Sequence, residues 1–399
     1  MRLFESLRPN GGVFPVGTEA EQWAETSAQV RREQIMKHAA LLFLSAIIFY
    51  GLAFPLPACR AATAQWKIEW QEETVIREAP PGSGAWYPRV LVLPDSRWLA
   101  AYDTNIGANR TYIEVAESLD GGRTWRPISI ASFGEGNAAN ASLALGSDGS
   151  LYLAYRLVRP GDFEIKLSRS TDGGMTWEPL SVIQTGRRGL WEPAIGWVGK
   201  EIWAFYSSEE FWPLWPQVIA LRRSVDGGKT WQAEEVVVRN PRSRDGMAAW
   251  MIHDSTVYMA YEATDMGNPF VIKMVTSSDG GLTWSEPVLV FRPANWSKKA
   301  GAPALAVLPN PLAEKLPIIV VAFQTDEDNT LGSGDQYADI KYVLSADGGR
   351  TWSDAYVAHA TVWPDCWAGL YVLDDKTLVL SVTSGNRLVL RIGHLVLEQ

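Results

Sequence analysis

The sequence predicts an all-β fold, a six-bladed β-propeller closed by an N-terminal strand. Three observations predict it. The box Ser-x-Asp-Gly-Gly-x-Thr-Trp occurs five times. An alternating apolar strand ending on a polar residue occurs six times, each preceded by another short strand. A strand-like segment, Trp66–Glu78, stands before the first full repeat and is available to close the ring. Repeats at such a period are the signature of a propeller or a stacked array, and ring closure removes the exposed sheet edges.

The boxes begin at Ser118, Ser170, Ser224, Ser277 and Ser345, so the first four are spaced 52–54 residues apart and the last follows after 68. That spacing suits one four-stranded blade. Asp-Gly-Gly between β-rich runs is hairpin chemistry, because the Asp accepts bonds from turn amides and the glycines supply positive φ. The closing tryptophan offers a large apolar surface to a neighbouring hairpin. Five of the 19 tryptophans are absorbed this way. One carboxylate per box is too few for calcium.

The six repeated strands end at Asp103, Arg156, Ser207, Glu262, Gln324 and Thr383. In an antiparallel blade, the end of strand two and the start of strand one share a face, and the box between strands three and four lies on the opposite face. The strand-two ends and the strand-one starts therefore predict a polar site on the face away from the boxes. The strand-one starts include Trp86-Tyr87-Pro-Arg89, Asn137-Ala-Ala-Asn140, Trp191-Glu192-Pro193, Arg244-Asp245-Gly-Met247, Ala300-Gly-Ala-Pro303 and Cys366-Trp367.

Glu192 and Glu262 fall on adjacent blades at this opening. Paired carboxylates beside aromatic platforms point to glycoside hydrolysis, in which one carboxyl protonates the leaving group and the other serves as nucleophile or base. Glu262 is read as nucleophile and Glu192 as acid/base, with the reverse assignment left open by the sequence. Arg89, Asp103, Arg156, Trp191, Ser207, Arg244, Gln324 and Trp367 are the expected substrate-binding residues. Asp335 and Asp339, in the insert before the fifth box, are read as solvated loop residues. The four histidines have no metal spacing, and no cofactor is expected.

The N-terminus reads as an extension and signal peptide over residues 1–64. Met36-Lys37-His38 is a basic start, and Met36 is read as the probable true initiator. The apolar run Ala39–Phe54 follows, and Ala62-Thr63-Ala64 fits a cleavage site that leaves Gln65 first. Residues 65–399 are expected to form the propeller. A retained membrane anchor and lipidation at Cys59 are the alternatives; the run is short for a span of roughly 20 residues. Secretion, or an extracytoplasmic location, is therefore expected. Removal of Cys59 would leave Cys366 without an intramolecular partner. The formal net charge of −9 argues against a nucleic-acid partner. The expected partner is an oligo- or polysaccharide, and the expected state is a monomer.

The boxes resemble the Asp-boxes (BNR repeats) of sialidases and related six-bladed hydrolases over Trp66–Leu397. A closer resemblance is to glycoside hydrolase family 93, the exo-arabinanases acting on α-1,5-linked arabinan. It rests on Tyr87-Pro-Arg89, Ala154-Tyr155-Arg156, Gly189-Leu-Trp-Glu-Pro193 followed by Phe205-Tyr-Ser-Ser-Glu209, Arg244-Asp-Gly-Met247, Tyr258-Met-Ala-Tyr-Glu262 and Phe323-Gln-Thr-Asp-Glu327. The resemblance implies an exo-acting, retaining glycosidase whose glutamate pair falls on Glu192 and Glu262. The chain departs from the family at Asp245 and Ala248, where prolines are usual, and in the Asp/Gly-rich insert Asp326–Asp339. Exo-α-sialidase is the runner-up: Arg89, Arg156 and Arg387 would have to grip one carboxylate, yet Arg89 is not followed by Ile-Pro and no tyrosine nucleophile can be assigned. A non-catalytic carbohydrate-binding propeller is the third reading.

Overall fold

The computed structural model describes residues 66–398, except residues 265, 266 and 314. The extension, signal peptide, Met36 and Cys59 lie outside the described residues. Among those described, no helix is long and apolar enough to cross a membrane.

Alternating apolar runs broken by turn residues give six antiparallel sheets, each a blade, and in the first five the strands lie in chain order. Blade one is Ala85–Val92, Trp98–Thr104, Tyr112–Ser118 and Arg126–Ile130. Blade two is Asn137–Leu145, Leu151–Arg159, Asp162–Ser170 and Glu178–Gly186. Blade three is Leu190–Val198, Glu201–Ser208, Val218–Ser224 and Glu235–Val238, and blade four is Asp245–His253, Thr256–Ala263, Val271–Ser277 and Val288–Phe291. Blade five is Ala300–Leu308, Ile318–Thr325, Asp339–Ser345 and Tyr356–His359. Blade six takes Asp365–Asp374, Thr377–Ser384 and Arg387–Leu397 from the C-terminus and its outer edge from the N-terminus.

The expected closing strand is two strands in series. Trp66–Trp70 pairs with Gly393–Leu397, and Thr74–Glu78 pairs with Arg387–Leu390. The polar run Gln71-Glu72-Glu73 interrupts the alternation between them. Both lie on the 11-residue strand Arg387–Leu397, long enough to template two short partners.

The core is divided among the blade interfaces. Leu99, Val115, Leu151 and Leu153 pack between blades one and two. Ile165, Leu167, Ile202 and Tyr206 do so between blades two and three. Phe205, Leu221, Met259 and Tyr261 fill the next interface, then Ile272, Met274, Ile319 and Val321. Ile68, Val320, Leu380 and Leu395 join blades five and six, and Ile76, Trp98, Tyr102 and Leu388 join six to one. Each fully buried aliphatic side chain contributes about 1.5–3 kcal/mol of transfer free energy. N-terminal Ile68 and Ile76 belong to the two interfaces flanking blade six, so the ring is closed by hydrophobic burial as well as by strand pairing.

The box turns are built as expected. Ser118 Oγ accepts the Gly122 amide at 2.9 Å, and Asp120 accepts the Thr124 amide at 2.9 Å and hydroxyl at 2.7 Å. Gly121 and Gly122 have φ of 72° and 85°, which the turn requires. The same serine-to-glycine and aspartate-to-threonine bonds recur in the other four boxes. The box tryptophans reach back: the Trp177 indole donates to Ser129 Oγ of blade one at 3.1 Å and the Trp231 indole to Ser181 Oγ of blade two at 3.0 Å.

Candidate active site

At the opposite face, each first strand begins with an irregularity in its pairing to the second. The residue at each bulge has positive φ: Tyr87, Asn140, Glu192, Met247, Ala302 and Trp367, at 40–59°. None is glycine, and such a conformation in bulky residues marks a strained, over-determined site.

Five of these bulges are held by the neighbouring blade. The amide of Asn140 donates to Asp103 Oδ2 at 3.0 Å, that of Met247 to Ser207 Oγ at 3.1 Å and that of Ala302 to Glu262 Oε2 at 2.8 Å. Trp367 N–H donates to Gln324 Oε1 and Tyr87 N–H to Thr383 Oγ1, both at 3.0 Å. The strand-two ends are thus inter-blade staples as well as lining groups. The sixth position is Arg156, whose guanidinium only donates and cannot accept from the Glu192 amide.

Trp86, Asp103, Asn140, Arg156, Glu192 and Trp367 line a cavity of about 290 Å³ at this face. Glu192 is half-buried, with its Oε2 accepting from the Ser207 hydroxyl at 3.1 Å. Because Ser207 Oγ already accepts the Met247 amide, its proton is left for Glu192. Burial, and then the charge of Glu262, push the Glu192 carboxyl up to about 7, against the pull of Arg156, Arg244 and the Ser207 hydrogen bond. Glu262, in blade four, is 7% exposed and is also raised by burial. The Ala302 amide, Arg244 and Lys299 counter that by favouring its ionised form. Gly301 makes this approach possible, since a Cβ there would lie 2.7 Å from Glu262 Oε2. Asp103 is raised by burial to about 7 against the Asn140 amide, Arg156 and Arg89.

The other expected residues divide. Arg244 lies 3.4 Å from Glu209 and 4.0 Å from Glu262 and so bridges the two. Trp191 donates its indole N–H to Glu209 at 3.0 Å and carries Arg156 over its ring at 4.6 Å. Arg89 does not itself line this cavity: it lies 3.7 Å over the ring of Tyr87, which does, donates to the carbonyls of Pro88 and Trp367, and borders a smaller cavity with Met247 and Pro303. Gln324 is used at both ends, by the Trp367 amide and by Asp335 Oδ1 at 2.6 Å. Asp335 is exposed, as expected, yet it is a partner of Gln324 and, at 2.7 Å, of Lys299; Asp339 is not a loop residue but the half-buried first residue of the third strand of blade five. Arg387 pairs with Glu73 at 3.0 Å, so the arginine triad of the sialidase reading is not assembled. The Tyr87 phenol is pushed up to about 12 by burial and by Glu192 and Asp103, which leaves it a poor nucleophile.

Sequence reasoning gave no role to Asn140, Glu209 and Tyr87, which the structure places at the candidate site: Asn140 and Tyr87 line the cavity, and Glu209 pairs with Arg244 and Trp191. Glu209 and Tyr87 stood inside quoted motifs but carried no role. Asn140 had a signal in its position at a strand-one start.

The family described as BNR repeat-like domain matches residues 159–392. The chain belongs to this family. No curated protein matches the BNR repeat-like chain. Among solved structures, it is similar to an α-L-arabinanase of Penicillium chrysogenum complexed with arabinobiose, with 20% identity, a TM-score of 0.66, and coverage of 81% of this chain and 98% of that one. It is similar to an α-L-arabinofuranosidase of Fusarium graminearum in complex with an iminosugar inhibitor, at 17% identity and TM-score 0.66, covering 82% and 98%. A Hadza microbial sialidase follows at 17% identity and TM-score 0.60, covering 78% of this chain and 66% of that one. At these identities the likeness establishes the shared propeller fold.

Proposed function

We propose that the protein is a secreted, exo-acting, retaining glycoside hydrolase on α-L-arabinan or a related glycan, working as a monomer. The observation that carries this reading is the asymmetry between two neighbouring carboxyls. Glu192 is pushed up to about 7 by burial and by Glu262 against Arg156, Arg244 and Ser207, whereas Glu262, also raised by burial, accepts the Ala302 amide and has Arg244 and Lys299 beside it. Environments that differ in this way assign acid and nucleophile. The solved α-L-arabinanase and α-L-arabinofuranosidase with the same fold support the substrate class.

In the first step the Glu262 carboxylate attacks the anomeric carbon, and the bond from that carbon to the leaving oxygen breaks. The Glu192 proton passes to that oxygen. In the second step Glu192 takes a proton from water, whose oxygen attacks the anomeric carbon and releases Glu262. Arg244 holds both Glu209 and Glu262 in place. Secretion rests on the apolar run and cleavage pattern before Gln65.

The test is a screen of purified protein on linear arabinan, arabino-oligosaccharides and 4-methylumbelliferyl sialoside, with product analysis. Release of small arabinose products from chain ends supports the proposal. Turnover of the sialoside alone would reject it in favour of a sialidase. Glycan binding that survives Glu192→Gln and Glu262→Gln, with no turnover by any form, would favour a non-catalytic propeller.

A further inference from the structure

Three buried polar atoms of the candidate site have no hydrogen-bond partner among the described residues: Asp103 Oδ1, Asn140 Oδ1 and Arg156 Nε. All three residues line the same cavity, and all three come from blades one and two. Asp103 and Asn140 are 5% and 9% exposed. An unmade hydrogen bond on a buried group is costly, so a cluster of such groups facing one cavity marks where a ligand makes those bonds.

The three are also held in place. Asp103 Oδ2 accepts the Asn140 amide, which fixes the carboxyl; the Ala141 amide adds a weaker pull, and Oδ1 makes no hydrogen bond of full geometry. The positive φ of Asn140, 58°, fixes where its side chain leaves the backbone. Arg156 rests on the Trp191 ring, occupies the one bulge position without an acceptor, and makes no ion pair within 4 Å among the described residues.

We infer that Asp103, Asn140 and Arg156 form a subsite for a vicinal pair of sugar hydroxyls. Two oxygen acceptors take the two O–H groups, and the guanidinium donates to one of the hydroxyl oxygens. Asn140 is the specificity-determining residue of the three, because its side-chain carbonyl has no role in the inter-blade staple. The inference rests on the glycan reading above but not on hydrolysis.

The test is calorimetric binding with the full chain carrying Glu262→Gln, which keeps an oxygen for the Ala302 amide and leaves a bound sugar uncleaved. The probes are arabinobiose and the methyl glycosides of arabinofuranose, xylose and galactose, each with its singly deoxygenated forms. Asn140→Gly removes the side-chain carbonyl while allowing the same φ. Binding of the tightest sugar is expected to weaken about tenfold in Asn140→Gly, the scale of one hydrogen bond to a buried group. The deoxy analogue that lacks the partner hydroxyl should lose a similar factor in the parent and nothing further in Asn140→Gly. Asn140→Asp, which keeps an acceptor, should retain binding. Unchanged binding in Asn140→Gly, an equal loss for every deoxy analogue, or no binding of any probe by the parent overturns the inference. Hydrolysis by the wild-type chain is scored separately, so intact hydroxyl selectivity without turnover defeats the enzymatic proposal alone.

Discussion

The two faces of the ring use the same residue type in opposite ways. On the box face Asp120, Asp172 and Asp279 are open to solvent, and hydrogen bonds from the box threonines and serines hold their carboxyls down at about 2. On the other face Asp103 is buried and Glu192 half-buried, and desolvation holds both carboxyls up at about 7. A carboxylate whose oxygens are satisfied by its own turn is structural. One that is buried with an oxygen left over is available for chemistry. Repetition alone does not distinguish them, since both faces carry a motif in every blade or nearly so.

The comparison can be broken most sharply at Glu262. Glu262→Ala is expected to lower turnover on the order of ten-thousandfold or more, measured as initial rate on the glycan found by the screen. Glu192→Gln should lower it roughly 10²–10⁴-fold, with much of the loss recovered on an aryl glycoside whose leaving group needs no proton. The same variant sharpens the electrostatic side. A Glu192 carboxyl raised from its ordinary range destabilises the fold once pH climbs through about 7. Glu192→Gln should therefore raise Tm more at pH 8 than at pH 5. Equal changes at both would place Glu192 in an ordinary solvated environment.

Smaller effects follow. Ser207→Ala removes a bond that favours ionised Glu192, so the alkaline limb of the pH–rate profile should move to higher pH. Asp172→Ala, in the second box, should lower Tm by a few degrees and leave turnover per folded molecule unchanged. Stability drawn from the box aspartates is present above their ordinary carboxylate range near 3.8 and is lost as pH falls toward 2, so the variant's Tm deficit should shrink in acid.

Much of the fold was legible because its determinants are local. The Asp-Gly-Gly turn, the serine two residues before the aspartate and the threonine four after it meet within one hairpin. The repeated alternation then set the blade count and placed Glu192 and Glu262 on one face. The staples were not legible. Asp103 and Asn140 are 37 residues apart and Thr383 and Tyr87 are 296 apart. Their pairing depends on how neighbouring blades are staggered, which neither sequence period nor composition encodes. The fate of Arg89 was hidden for the same reason, since its acceptor at Trp367 lies on the far side of the ring closure. The division of the closing segment into two strands was readable only in outline, from the polar interruption at Gln71-Glu72-Glu73.

The central claim is that Glu262 forms the bond and Glu192 manages the proton. Peptide mapping by mass spectrometry, after Glu192→Gln protein is incubated with 4-nitrophenyl α-L-arabinofuranoside, tests it directly. The expected result is a burst of nitrophenol and a pentosyl ester on the peptide that contains Glu262, because the intermediate forms without an acid and lingers without a base. Nitrophenol release with no adduct on that peptide, or an adduct on a different carboxylate, would contradict the account.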